Sequence, residues 1–290
     1  MTVQTESHVS QDLRTITRQG LLPARGSGWL AGYGNMLAKE LGEWFRTRRW
    51  LWQLLLWPII LDGWVAFPLF ILPYLESVNP AFQGATEKMF AGLPTELGSA
   101  YMFYSMVVLA GTLGAIIFAQ DEIIQEKQSG TAAWILSKPV ARPAFILTKL
   151  QSNVIGMLVF VVGLPGLIAL GEIYLATHQL VPLVPFLEGM AVVLLGLVFY
   201  TSLVIMLGVV CESRSKVLGI AFGIFFAGMM LKTFFPQIAY VLPIAMDGIA
   251  LSIVLRTPLP VILLSELISV AILTIVFIVV ALWRFQHEEM

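Results

Sequence analysis

Six apolar runs, each near the roughly 20 residues that a helix needs to cross a hydrocarbon core, leave this 290-residue chain few choices of fold. They lie at about 50–74, 101–119, 153–175, 186–210, 217–235 and 259–283. In lipid only helices and closed barrels satisfy every backbone N–H and C=O, and barrel strands alternate with period two over short stretches. Long continuous runs therefore predict six transmembrane helices in an all-α integral membrane protein. Composition agrees: 58% hydrophobic residues and 12% charged, with a mean hydropathy of +0.85, leave too little charge to cover a soluble domain.

Several function classes fall away at once. A net charge of -1 offers no concentrated basic face for nucleic acid. Cys211 stands alone, which excludes an internal disulfide or a multi-thiolate metal site, and His8, His178 and His287 are too far apart to read as a metal motif. The chain has no GxxxxGK[ST], HExxH, CxxC or GxSxG. It is expected to be neither an enzyme nor an ATP-binding protein in its own right.

In chain order, residues 1–35 are rich in Ser, Thr, Gln and Gly and read as a flexible cytoplasmic tail. The remainder, 36–290, is expected to form one domain of six spans. From Met36 to Arg49, Leu37, Leu41, Trp44 and Phe45 share one helical face, with Lys39, Glu40, Glu43 and Arg46 on the other. This predicts an amphipathic helix at the membrane interface, or else the polar start of a long first span. Lys and Arg near the span ends set the orientation. Lys39, Arg46, Arg48, Arg49, Lys127, Lys138, Arg142, Lys149, Arg214, Lys216 and Arg284 gather on one side, against Lys88, Lys232 and Arg256 on the other. Both termini are therefore expected in the cytoplasm.

Three features inside the apolar region stand out. Asp62 lies mid-span, about 18 Å along the helix from Trp50, where a charge costs on the order of 2.5–3.5 kcal/mol on insertion scales. Glu266 and Lys232 fall at similar depth and form a candidate pair. These three either line a substrate path or proton relay, or pin helices together. Two small-residue stripes, Gly111-Ala115-Ala119 and Gly219-Gly223-Ala227, serve internal packing or a subunit interface. The segment 236–258 is apolar yet broken by Pro243, Asp247 and Gly248, which predicts short re-entrant helices.

Between the second and third runs lies a polar island, 120–149, with seven charged side chains: Asp121, Glu122, Glu126, Lys127, Lys138, Arg142 and Lys149. Ser129-Gly130 should break a helix continuing from span two, Lys138-Pro139 should stop a second short helix, and Pro143 suits the first turn of the next. The island is read as presenting Glu126, Lys127, Thr131 and Trp134 to the cytoplasm, with Trp134 as an interface anchor.

These residues resemble a family. Glu126-Lys127-Gln128-Ser129-Gly130-Thr131, then Leu136-Ser137-Lys138-Pro139-Val140 and Arg142, with Lys149 heading the next span, look like the loop after the second span in permease subunits of type-2 ABC transporters. Lys39-Glu40-Leu41, the arginines Arg46 to Arg49 and Pro58 resemble that family's opening helix and first span. Gln128, Ala133 and Thr148 depart from the family pattern. The resemblance implies the permease of an ATP-driven exporter in a prokaryotic cytoplasmic membrane, paired with a second permease copy, identical or related. A separate cytoplasmic ABC ATPase would bind ATP and Mg. Glu126, Lys127, Gly130, Thr131 and, from its exposure, Trp134 would form the ATPase-coupling loop, beside an interfacial helix carrying Lys39, Glu40 and Arg46. The spans bearing the small-residue stripes would face the dimer axis. The alternatives are a carrier or channel that works without an ATPase through Asp62 and Glu266, and a membrane scaffold for metalloenzyme maturation.

Overall fold

A computed structural model describes residues 28–287 apart from 47, 139, 236 and 238–240. Most of the expected tail, and Pro139, lie outside the described residues. Among these there are helices and turns but no strand. Six helices are long and apolar enough to cross a membrane: Trp50–Val78, Thr95–Gln128, Arg142–Thr177, Leu183–Val210, Arg214–Lys232 and Val261–Gln286. They are called spans one to six below. Each overlaps one of the apolar runs, but span two runs on to Gln128 and span three starts at Arg142. In span three helical hydrogen bonds close within the segment whatever the side chains, so its polar first turns continue the helix, whereas the expected continuation of span two is interrupted by a turn at 120–123 before the helix Ile124–Gln128.

Spans one, two and three each contain a π-helical stretch, at Phe67–Ile71, Val107–Gly111 and Met157–Gly163. The wider turn draws backbone inward. A Cβ at Gly163 would lie 2.5 Å from the Leu158 carbonyl oxygen, so glycine is what lets this turn form.

Span four is the axis of the bundle. Of its most apolar window 78% is buried, against 22% for span five and 17% for span six, which lie on the periphery. The helix Met246–Val254 packs on it with Met246, Ile249, Ala250 and Val254 buried. A Cβ at Gly196 would come within 3.4 Å of Met246 and 3.6 Å of Pro243. Gly196 is about 20 Å of helix from Leu183, so this segment does dip deep into the bundle.

Close approach between spans depends on glycine. Trp57 of span one lies against Gly114 of span two, so tightly that a Cβ there would overlap its ring. The two small-residue stripes then part company. Gly111, Ala115 and Ala119 are buried, and a Cβ on Gly111 would reach Val161 at 3.2 Å and Leu197 at 3.3 Å. Span two's stripe therefore packs inside this chain and does not face a second copy. Gly219, Gly223 and Ala227 are exposed, with nothing within 4 Å of a Cβ at either glycine.

Gly114→Leu, and Gly156→Leu, where a Cβ would lie 2.7 Å from the Trp44 ring, are expected to lower the thermal midpoint of the purified single chain, each by the equivalent of about 1–3 kcal/mol. Gly219→Leu and Gly223→Leu meet open space and should stay within about 0.5 kcal/mol of the parent. Equal losses at all four positions, followed by tryptophan fluorescence, would contradict this packing.

Candidate functional site

The residues singled out in the sequence form two sites at opposite ends of the bundle. At the end that carries the described chain termini, the helix Tyr33–Phe45 precedes span one. Its buried stripe is Met36, Glu40 and Trp44, one turn apart. Trp44 seats on Gly156 of span three, stacks on Phe160 with ring centroids 6.2 Å apart, and meets Phe118 of span two edge-on at 5.7 Å. This corrects the face expected from hydrophobicity. Glu40, placed with the polar residues, is 2% exposed, whereas Phe45 is 41% exposed.

The reason Glu40 is buried is Lys149. Its ammonium, in span three and 1% exposed, lies 3.4 Å from Glu40, 3.3 Å from Glu122 and 3.1 Å from Glu126. Lys39 adds a second cation, 3.1 Å from Glu40, 3.0 Å from Glu126 and 3.6 Å from Glu43. Asn153 donates to the Lys149 carbonyl, and the Lys149 ammonium lies 5.2 Å from the Phe145 ring centre. Partial burial works against the charge on Lys39, but Glu40 and Glu126 more than offset it and hold its ammonium above the ordinary lysine range. The cluster joins three segments: the opening helix, the end of span two and the start of span three. Arg46, at the end of the opening helix, stays exposed outside it.

The polar island folds around this cluster. Span two turns at 120–123, the helix Ile124–Gln128 follows, and Gly130 at φ +72° makes the left-handed corner into Thr131–Leu136. Ser129 and Thr131 hydroxyls are 2.8 Å apart across that corner. The expected presentation of the island changes accordingly. Glu126 points inward to the two lysines, and Lys127 donates to the Val209 carbonyl at 3.1 Å. Outward stand Gln125, Gln128 to Gly130, Ser137, Lys138, half-buried Thr131, and Trp134, which is 61% exposed with the Lys138 ammonium 3.4 Å from its ring centre.

The underside of the island is apolar. Ile123, Ala132 and Ile135 pack with Met36, Phe145, Ile146, Ile205, Val209, Ala281 and Phe285. Polar ties add to this. Gln128 donates to the Glu212 carbonyl, Arg214 pairs with Asp121 at 3.1 Å, and Arg142 caps the last span through the carbonyls of Phe285 and Gln286. The island is thus fastened to the opening helix and to spans three to six.

At the opposite end, Lys232 and Glu266 do not meet directly. Lys232 donates to the Ile244 carbonyl at 3.0 Å, and Glu266, fully buried, accepts from the Ala245 N–H at 2.8 Å. They grip the two poles of one peptide unit. The expected pair is therefore mediated by backbone, because a non-helical peptide buried among spans needs both its donor and acceptor answered. Asp247, in the next turn, accepts from Ser105 at 2.9 Å. Asp62 is 2% exposed and neither carboxylate oxygen has a hydrogen-bond partner. Its electrostatic neighbour is Glu172 of span three. Sequence reasoning counted Glu122 only among the island's charges, did not single out Glu172, and used Lys149 as an orienting charge heading the third span without a partner. An ionisable residue inside or abutting an apolar run is the signal that marks all three.

A family model described as ABC-2 family transporter protein matches residues 34–290. No curated protein matches the chain.

Lys149→Met leaves Glu40, Glu122 and Glu126 crowded in a buried site without the central ammonium, and is expected to cost about 3–5 kcal/mol. Lys216→Met, which loses a solvent-exposed contact to Glu212, should change little. Thermal unfolding in detergent separates the two, and comparable shifts would deny the cluster its structural role.

Proposed function

Because the chain belongs to the ABC-2 transporter family, we propose that it is the permease subunit of an ATP-driven exporter, coupled through the Gln128–Lys138 surface to a separate ABC ATPase. The observation that carries this reading is Trp134. It is a large aromatic side chain, 61% exposed, on a helix whose other face is fastened into the bundle. Exposed aromatics on rigid supports are what protein interfaces use as anchors.

In this reading both termini and the island lie in the cytoplasm of a prokaryotic cell, consistent with the bias of Lys and Arg toward that side. ATP and Mg belong to the partner. A displacement delivered at Trp134 and the Ser129–Thr131 corner passes through Ala132 and Ile135 to Met36, Phe145, Ile205 and Phe285, and so to the opening helix and spans three, four and six. Glu126 acts in this scheme from within, as the joint between the island and Lys149, and Lys127 as its tie to span four. The exposed stripe Gly219, Gly223 and Ala227 on span five is the surface for a second permease copy, since small residues let helices approach closely without a hydrophobic driving force.

Thr131→Arg and Trp134→Ala are expected to abolish retention of a P-loop ATPase when the tagged chain is purified from its native membranes, with the thermal midpoint of the permease unchanged. Gly223→Leu should instead reduce co-purification of differently tagged permease copies. Full retention of the ATPase by both island variants, or proton-driven transport in proteoliposomes holding this chain alone, would sink the reading.

A further inference from the structure

Beside the Ile244–Ala245 peptide lies a cavity of about 250 Å³ between spans two, four and five, lined by Ser105, Val108, Tyr200, Met229, Lys232 and Asp247 among others. The π-helical stretch Val107–Gly111 forms its span-two wall. Such stretches are frequent at functional sites. Two opposite charges line this cavity without pairing to each other. Lys232 has three N–H donors and gives one to the Ile244 carbonyl; Asp247 receives Ser105 on one oxygen. The walls between them, Val108, Leu109, Phe225, Met229 and Pro243, are apolar. A second hollow of about 560 Å³ lies on the adjacent face of span five, lined by Ile224, Ala227, Gly228, Leu231, Val241 and Leu242 beside Gln237. Phe225, Met229 and Lys232 face the first hollow while Ile224, Gly228 and Leu231 face the second, so span five separates a polar chamber from a greasy one.

We infer that the polar chamber is a binding site for a zwitterionic head group with its ammonium on Asp247 and its anion on Lys232, the head of an ethanolamine-type membrane phospholipid. A zwitterion matches the two charges that line the chamber, cation to Asp247 and anion to Lys232. A primary ammonium also keeps three donors for the Asp247 carboxylate, the Ser105 hydroxyl and the nearby Tyr101 hydroxyl, which a trimethylated head lacks. A net-anionic head would set a neutral hydroxyl, a weaker partner than a cation, against the Asp247 carboxylate. That the bound lipid is cargo rests on the permease reading above; that it binds rests on the chamber alone, and needs no ATPase.

The test is native mass spectrometry of the full chain in detergent, titrated with dihexanoyl phosphatidylethanolamine, phosphatidylcholine, phosphatidylglycerol and free phosphoethanolamine. The ethanolamine lipid is expected to bind at least about tenfold more tightly than the other two lipids. Asp247→Asn, which keeps the acceptor for Ser105, should remove that preference, and Val108→Phe, which fills the chamber, should weaken binding by about tenfold or more. Lys232→Met also releases the Ile244 carbonyl, so the other two variants decide the matter if it misfolds. Equal binding of all three lipids, or a preference untouched by Asp247→Asn and Val108→Phe, overturns the inference. Free phosphoethanolamine binding as tightly as the lipid overturns the membrane source of the ligand.

Discussion

A lysine ammonium cannot be left alone inside an apolar bundle, and the end of this molecule that carries the loop is arranged around that constraint. Lys149 is 1% exposed, and the cost of removing it from water is several kcal/mol before any partner is supplied. Its partners come from far apart in sequence: Glu40 from the opening helix, and Glu122 and Glu126 from the turn below span two. Each carboxylate is itself buried or half-buried, so none is stable there unless the others and the ammonium are in place. Mutual dependence of this kind fixes the relative position of three segments more tightly than apolar contact would. It also explains why the opening helix buries a glutamate in the middle of its inward stripe.

The same rule acts at the other end on backbone. A segment that leaves helical geometry within the bundle exposes a carbonyl and an N–H that no water reaches, and each costs free energy unless bonded. Lys232 and Glu266 answer one peptide from both sides. Their charges are thereby separated by a peptide unit, and Lys232 retains donors that face the chamber. A structural solution to an unsatisfied peptide has left a polar cavity in an apolar setting.

The two ends are mechanically joined through span four. Val209 and Ile205 near one end of it lie under the polar island, while Gly196 and Tyr200 above them meet Pro243, Met246 and Phe225. Motion of the island relative to span four therefore acts on the same helix that forms a wall of the chamber. The peripheral helices, five and six, are the least enclosed, and span five carries both an exposed small-residue stripe and a wall of each hollow.

By itself the sequence determined the helical class, the six spans and the break at Ser129-Gly130, because apolar run length and left-handed glycine geometry are local properties. It also marked Asp62, Lys232, Glu266 and Trp134, since a charge within an apolar run or an aromatic within a polar one is visible one residue at a time. Only the tertiary structure decided which way those side chains turn. Glu40 and Glu126 read as surface residues until Lys149, a distant residue, is brought between them. The Lys232–Glu266 pair became two contacts to one peptide because the path of 241–245 is set by packing on span four. Likewise the two small-residue stripes are alike in sequence, yet one is filled by Val161 and Leu197 and the other is open. Burial and pairing depend on what a long-range fold places opposite a side chain, and no local pattern carries that information.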